Sequence, residues 1–226
     1  MVEDTHKAPP MDPIDQFLAN RFSGGNMIEH IKSFEYPSKL HLCRALKLFH
    51  EIERCQVGGA KVLDVGVDSG VFFALLDSIG CDVTGVGNNP TALSRVRHRF
   101  PSNALIQLDL NNPLPFADGT FELIWAGDVF EHIPNTRVCV SESARVLKDG
   151  GRLMLTVPYH GRLKNILIAL FAWERHFDPF FAHYKFFTHK MMDTVLRSCG
   201  MEIEKIRYVG RLWPVSTHIF VVAKKA

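Results

Sequence analysis

The chain has 226 residues, 46% of them hydrophobic and 22% charged, the balance of an ordinary globular protein with one large core. Lys and Arg number 26 against 24 Asp and Glu, so the polybasic signature of a nucleic-acid binder is missing and no nucleic-acid partner is expected. The longest strongly apolar run, Ile166 to Trp173, falls short of the roughly 20 residues a membrane-spanning helix takes. The opening MVEDTHKAPPMDP carries no apolar signal core, and Cys43, Cys55, Cys81, Cys139 and Cys199 form no C-x-x-C pair. These features predict a cytoplasmic protein with neither a disulfide framework nor a metal site.

In chain order, residues 1–16 read as a disordered tail and residues 17–56 as an N-terminal helical cap. Within the cap, helices are expected over Asn26–Phe34 and Ser38–Arg54, broken at Tyr36-Pro37 because proline disfavours helix in the residue before it. Lys61–Val65 then reads as a strand ending in Gly66. Val71–Ile79 reads as a helix closed by Gly80. A second strand (Cys81–Val86), a helix opened by Pro90 and running to Arg99, and a third strand (Ala104–Leu108) follow. Asp118-Gly119 turns into a fourth strand, Phe121–Ala126. Helix Thr136–Leu147, the turn Asp149-Gly150-Gly151 and strand Arg152–Val157 complete an alternation that predicts a doubly wound, mostly parallel sheet. The end differs. Helix Lys190–Ser198 precedes Met201–Val209, whose apolar alternation slips at Glu204-Lys205 as a bulged strand would. Thr217–Ala223 is apolar throughout, as a strand buried on both faces. The link between them is too short for a crossover helix, so an antiparallel C-terminal hairpin is expected, giving seven strands in an α/β fold.

In such sheets ligands bind at the carboxyl ends of the strands where strand order reverses. The first strand ends VLDVGVDSG. Gly66 and Gly70 would let the backbone turn tightly, and the next helix would aim its amino end at an anionic group. A plain strand-to-helix turn would use the same residues. The dinucleotide fingerprint G-x-G-x-x-G is not met, since Asp68 and Val71 occupy its second and third glycine positions.

This stretch resembles motif I of the class I S-adenosylmethionine (SAM)-dependent methyltransferases, usually V-L-D-x-G-x-G-x-G. CDVTGVGNNPTAL, LDLNNPLPFADGTFELIWAGDVFEHIPN, LKDGGRLMLTVPY and HYKFFTHKMMDTVLRSCGMEIEKI resemble the later blocks of that family in order, so residues 57–226 are identified as the SAM-binding domain, of the methyltransferase type 11/12 kind. The resemblance implies SAM as cofactor. By position, Asp64 would orient the loop and the methionine end of SAM, Gly66 and Gly70 would pass close to it, Asp109 would accept from the adenine amino group with the Leu110 N–H facing the ring, and Asp128 would lie near the methionine moiety. Each carboxylate has a structural alternative: loop stabiliser, turn acceptor and helix cap, respectively. Two positions depart from the family. Its middle glycine is Asp68 here, and its ribose-holding acid falls at Gly87. Asn88 or Asp68 would have to take over that contact.

SAM carries an electrophilic methyl, so the enzyme must hold the acceptor in line and, for an alcohol or phenol, remove a proton. Asp128, Glu131 and His132 would share one face if the turn after the fourth strand is helical. His132 is the first candidate base, because imidazole titrates near neutrality, and His160 the second. The D-x-x-E-H pattern resembles that of ubiquinone-pathway O-methyltransferases, where such a cluster is linked to a divalent metal; bracing of the loop is the alternative, and no metal is assigned. Residues 160–188 form the expected acceptor lid, with Tyr159, Tyr184 and Phe187 lining the pocket beside the two histidines. The lid has five Lys or Arg against two acids from His160 to Lys190. It would suit a small hydrophobic acceptor with a phenolic or acidic head, methylated at oxygen. Residues 162–187 would also suit peripheral contact with an anionic membrane surface. Alternatively, this segment packs on the N-terminal helices as core, and the whole chain is a non-catalytic binding or scaffold module on the same fold.

Overall fold

The computed structural model describes residues 39–177, 184–210 and 216–226. The expected tail and the helix Asn26–Phe34 lie outside the described residues. The cap is described from helix α1 (Lys39–Glu53), whose Ala45, Leu48, Phe49 and Ile52 recur at helical spacing and are buried. The alternation then runs β1 (Lys61–Val65), α2 (Val71–Ser78), β2 (Asp82–Gly87), α3 (Pro90–Arg99), β3 (Leu105–Gln107), β4 (Phe121–Gly127), α4 (Thr136–Val146) and β5 (Leu147–Pro158). Two short helices, α5 (Arg162–Phe171) and α6 (Trp173–His176), follow, then α7 (His189–Arg197), β6 (Met201–Val209) and β7 (His218–Lys225).

The seven strands form one sheet in the order β3-β2-β1-β4-β5-β7-β6. The first five pair in parallel; β7 runs antiparallel between β5 and β6. The α/β class and the C-terminal hairpin therefore stand as expected, including the slip in β6, where register shifts between Ile203 and Lys205. Period-two alternation sends side chains to two cores. Leu63, Val65, Leu155, Ile219 and Val221 face one, with Val140, Met192 and Leu196 from α4 and α7. Val62, Trp125, Met154, Phe220 and Val222 face the other, with Ile52, Phe73 and Leu93 from α1, α2 and α3.

Side-chain caps fix the helix starts. Asn89 accepts from Thr91 N–H and Ala92 N–H, Asn135 from Val138 N–H, and Thr188 from Met191 N–H. The β3–β4 connection has no helix between Gln107 and Phe121. One guanidinium organises it instead: Arg145 donates to the carbonyls of Leu114 and Phe116 and to the carboxylates of Asp118 and Glu142, while Glu142 accepts from Leu114 N–H.

Two expectations change. The fifth strand begins at Leu147 rather than Arg152. Leu147 pairs with Phe121 and Arg152 with Leu123, so the expected turn at 149–151 is a bulge inside the strand, eased by Gly150 at φ 74°. The apolar run 166–173 is not core. Ile166, Leu170, Phe171 and Trp173 are exposed, and only Ile168 of helix α5 is buried. Among the described residues no helix is long and apolar enough to cross a membrane.

Candidate active site

Strand order reverses between β1 and β4, and the residues at those two carboxyl ends build the site. After β1 the chain takes positive φ at Gly66 (81°), Asp68 (37°) and Gly70 (79°). A side chain at Gly66 would collide with Val129 beyond β4, its Cβ falling 2.6 Å from Cγ2. Asp substitutes for the usual middle glycine because its short polar side chain tolerates the left-handed region. Helix α2 starts at Gly70 without a side-chain cap, so its first amides are not consumed from within the loop.

Asp64, the fourth residue of β1, is 2% exposed and makes no side-chain hydrogen bond among the described residues. Burial without a donor pushes its carboxyl up to about 7. A carboxylate buried in this way fits a cationic or hydrogen-donating ligand group at the mouth of the loop. Asp68 and Asn88 are exposed beside the same mouth, and neither spends its side chain on a hydrogen bond among the described residues. Asn89, the next residue, is spent as the cap of α3. At Gly87 an added Cβ would meet only Val67 N at 3.7 Å and Leu93 Cδ2 at 3.8 Å, ordinary contacts that leave room for a side chain.

Asp109 lies exposed after β3. Its Oδ1 accepts from Asn111 N–H and the Asn111 side chain, which holds its carboxyl below the usual range. The turn-acceptor role is thus real, and Oδ2 is left for another partner. Leu110 follows, half-buried at the edge of the main core.

Beyond β4 the three-residue pattern expected on one helical face is split. Asp128 sits at φ 54°, outside the 3₁₀ turn Phe130–His132 that follows. Glu131 turns fully inward while the His132 side chain is 42% exposed, with Nε2 4.0 Å from Glu131 Oε1. The turn is too tight, and its start too left-handed, for an α-helical face. Among the described residues no three His, Cys, Asp or Glu side chains gather in a metal-ligating group.

Asp128 has instead a set of partners that the sequence did not disclose. Its N–H donates to Thr156 across the sheet, Thr156 Oγ1 donates back to Asp128 Oδ1 at 2.8 Å, and His218 Nε2 lies 3.6 Å from Oδ2. Topology supplies the signal: β7 runs antiparallel to β5, with His218 opposite Pro158, so the first residue of the last strand arrives at the end where the other strands finish.

The expected lining residues divide. The ring of Tyr159 packs edge-on against Tyr208, with burial raising its hydroxyl's pKa, and its backbone bridges to Phe187. His160 is 3% exposed; its Nδ1 meets Asn165 Oδ1 at 3.0 Å and its ring packs on Phe186 and His176. Phe187 is also 3% exposed, inside the main core, so it backs the site and does not line it. Tyr184 is 66% exposed, tied by its N–H to the carbonyl of Glu131.

The methyltransferase-domain family matches residues 63–155, which run from β1 into β5. A ubiquinone biosynthesis O-methyltransferase of Thiobacillus denitrificans is 26% identical over 175 residues, covering 74% of this chain and 75% of that one. A demethylmenaquinone methyltransferase of Tropheryma whipplei is 34% identical over 162 residues, covering 64% of this chain and 67% of that one. Among solved structures, a SAM-dependent methyltransferase of Methanosarcina mazei superposes with a TM-score of 0.62 at 20% identity, covering 77% of this chain and 96% of that one.

Proposed function

From the premise that this chain belongs to the class I SAM-dependent methyltransferases, we propose that it methylates an oxygen of a small, apolar, phenolic or acidic acceptor, as the name of the ubiquinone-biosynthesis relative supports. The observation that carries the cofactor half is Asp64: a carboxylate buried with no hydrogen-bond partner among the described residues, under a loop of three positive-φ residues, at the strand-order switch. Asp64 and the Gly66–Gly70 loop would hold the methionine end, Asp109 Oδ2 the adenine amino group beside Leu110, and Asn88 or Asp68 the ribose. Asp128, fixed by Thr156 and flanked by His218, would border the methionine moiety. SAM supplies a methyl on a sulfonium, already activated toward nucleophiles.

What remains for the protein is orientation of the acceptor and removal of one proton. His132 projects from the end of β4 toward solvent, with its Nε2 4.0 Å from Oε1 of the buried Glu131, an electrostatic neighbour beyond hydrogen-bond distance. His132 would take the acceptor's hydroxyl proton as oxygen bonds the methyl carbon and the carbon–sulfur bond breaks, the sulfonium leaving as a neutral thioether. His160, enclosed by Asn165 and aromatic rings, supports the wall as a positioning residue. Tyr159 and the exposed Tyr184 frame the acceptor side. The relatives named for ubiquinone biosynthesis and for demethylmenaquinone support an apolar ring as the acceptor class.

The test is methyl transfer from isotopically labelled SAM by purified protein to a panel of apolar phenols, naphthols and carboxylic acids. O-methylated phenol is the expected product. His132→Ala should lower turnover by about 10²- to 10⁴-fold, the usual contribution of a general base, with SAM affinity unchanged. Full activity in His132→Ala would remove His132 from the role, and methyl appearing only on nitrogen or carbon would overturn the oxygen assignment.

A further inference from the structure

The last strand brings a histidine to a carboxylate at the mouth of the site. β7 runs antiparallel to β5, so its first residue, His218, stands opposite Pro158 at the end where the parallel strands finish. There its Nε2 lies 3.6 Å from Asp128 Oδ2, with the two side chains only 15% and 26% exposed. The separation is that of an ion pair, beyond an ordinary hydrogen bond, so the contact counts chiefly when the imidazole is charged. Half-burial leaves such a pair less screened than one at the surface.

Asp128 is fixed in direction. Its N–H donates to the carbonyl and to Oγ1 of Thr156, each at 3.0 Å, and Thr156 Oγ1 donates to Asp128 Oδ1 at 2.8 Å. The backbone is held at φ 54°, a region that favours glycine and tolerates Asp. The next residue, Val129, lies against the loop after β1, since a Cβ at Gly66 would fall 2.6 Å from its Cγ2. What can still vary is how much of the Asp128 charge is balanced by His218.

Charge is also what separates the cofactor from its product. SAM carries a sulfonium; S-adenosylhomocysteine, left after methyl transfer, has a neutral thioether there and is otherwise the same molecule. A carboxylate beside that sulfur attracts the first more than the second. A lysine or arginine at position 218 would balance Asp128 at every pH and an apolar residue at none, whereas imidazole changes charge near neutrality. Among the described residues, the neighbours of His218 on the packed strands are Asp128 of β4, the uncharged Thr156 and Pro158 of β5, and Val209 of β6. Arg207, the next cation along β6, is exposed and lies 4.0 Å from Glu51 of α1. Tyr159 and Tyr208 pack on each other at the main core, the opposite face from Phe220 and Val222. Glu131 and His132 follow Asp128 in the 3₁₀ turn.

We propose that His218 is a positioning residue that sets the preference for cofactor over product. Neutral, it leaves the Asp128 carboxylate to attract the sulfonium; charged, it balances that carboxylate, while Thr156 holds it in place in both states. The site therefore prefers SAM to S-adenosylhomocysteine more strongly as pH rises. This proposal rests on the cofactor reading given above.

The test is calorimetric titration of the full-length protein with SAM and with S-adenosylhomocysteine between about pH 5.5 and about pH 8.5, the range that spans imidazole ionisation. In the wild type the ratio of the two affinities should move toward SAM by on the order of fivefold, the effect of one unit charge several Å away in a partly solvated site. His218→Gln keeps a donor without the charge and should hold the high ratio at every pH. His218→Lys should hold the low one. Opposite responses of two variants at one position are not what lost packing produces. Asp64 and His132 are present in all three proteins, so differences between the profiles belong to position 218. Asp128→Asn should lower the ratio, and adding His218→Gln to it should change nothing further. Thermal unfolding at each pH identifies a variant that has lost its fold, and the other then carries the comparison with wild type. Profiles for wild type and a folded variant that run parallel would overturn the proposal and leave the cofactor reading standing. Absence of binding by both ligands would overturn that reading and the proposal with it.

Discussion

Replacing Asp64 by Asn should make the protein more stable and a poorer binder of SAM at once. The carboxyl is raised from an ordinary 3.8 to about 7 by burial alone. At about 1.4 kcal/mol for each tenfold change in proton affinity, the buried charge costs on the order of 4 kcal/mol once fully ionised. The sign follows from proton uptake. Between about pH 4 and pH 7 the folded state keeps a proton that the unfolded state has released, so unfolding free energy falls as pH rises through that window. Asn fills nearly the same volume and carries no charge, so it removes this slope. Between pH 5 and pH 8 the wild type should therefore lose about 2–3 kcal/mol relative to Asp64→Asn, as read by urea unfolding followed by far-ultraviolet circular dichroism. Glu51, Glu122 and Glu142 are lowered by their cationic or amide partners and add stability that disappears only as the solution becomes more acidic. His176, lowered by burial and by Lys164, favours the neutral ring and loses its contribution below its folded value. Both sets are common to wild type and variant and cancel in the difference. Calorimetric titration should show SAM binding weakened by about 1–3 kcal/mol, the cost of losing a charged hydrogen-bond partner. Parallel stability profiles for the two proteins would refute the claim that an uncompensated charge is buried there. Unchanged SAM affinity would refute its role in the site.

Gly66→Ala should destabilise the protein by about 1–3 kcal/mol in thermal unfolding, because it imposes both a left-handed backbone on alanine and a contact of 2.6 Å with Val129. Gly87→Asp should fold normally, since its Cβ meets only ordinary contacts, and should tighten SAM or leave it unchanged in calorimetric titration; loss of SAM binding would show that the space is already occupied by ligand. Thr156→Val should cost about 1 kcal/mol in urea unfolding and lower turnover through the loosened Asp128, with the unfolding slope preserved. The His132→Ala substitution described above completes the set.

Much of the frame was legible because local rules and tertiary packing agree in it. Pro90 marks the start of α3, Gly80 closes α2, and the apolar slip at Glu204-Lys205 marks a real shift of register. Where the two levels part, the sequence misleads. The apolar run after Asn165 reads identically whether it meets a core or solvent, so its outward stripe could be learned only from the fold. Asp128, Glu131 and His132 have helical spacing, but the left-handed start at Asp128 sends Glu131 inward and His132 outward. Phe187 lies near the site in sequence, yet alternation with its exposed neighbour Phe186 turns its ring into the core. The Asp128–Thr156–His218 set joins residues separated by 28 and 62 positions, and only strand order brings them together.

The placing of β7 between β5 and β6 orders events during synthesis. β6 is made before β7 but has no place in the sheet until β7 arrives, because its ladder is made to β7 alone. A chain still emerging from the ribosome would hold β5 as an open, strongly apolar edge while β6 waits in solvent. The same late strand delivers His218 to Asp128. Closing the exposed edge and completing the polar set at the mouth of the site are thus one event, so a chain with a finished site is also one whose sheet no longer offers β5 to its neighbours.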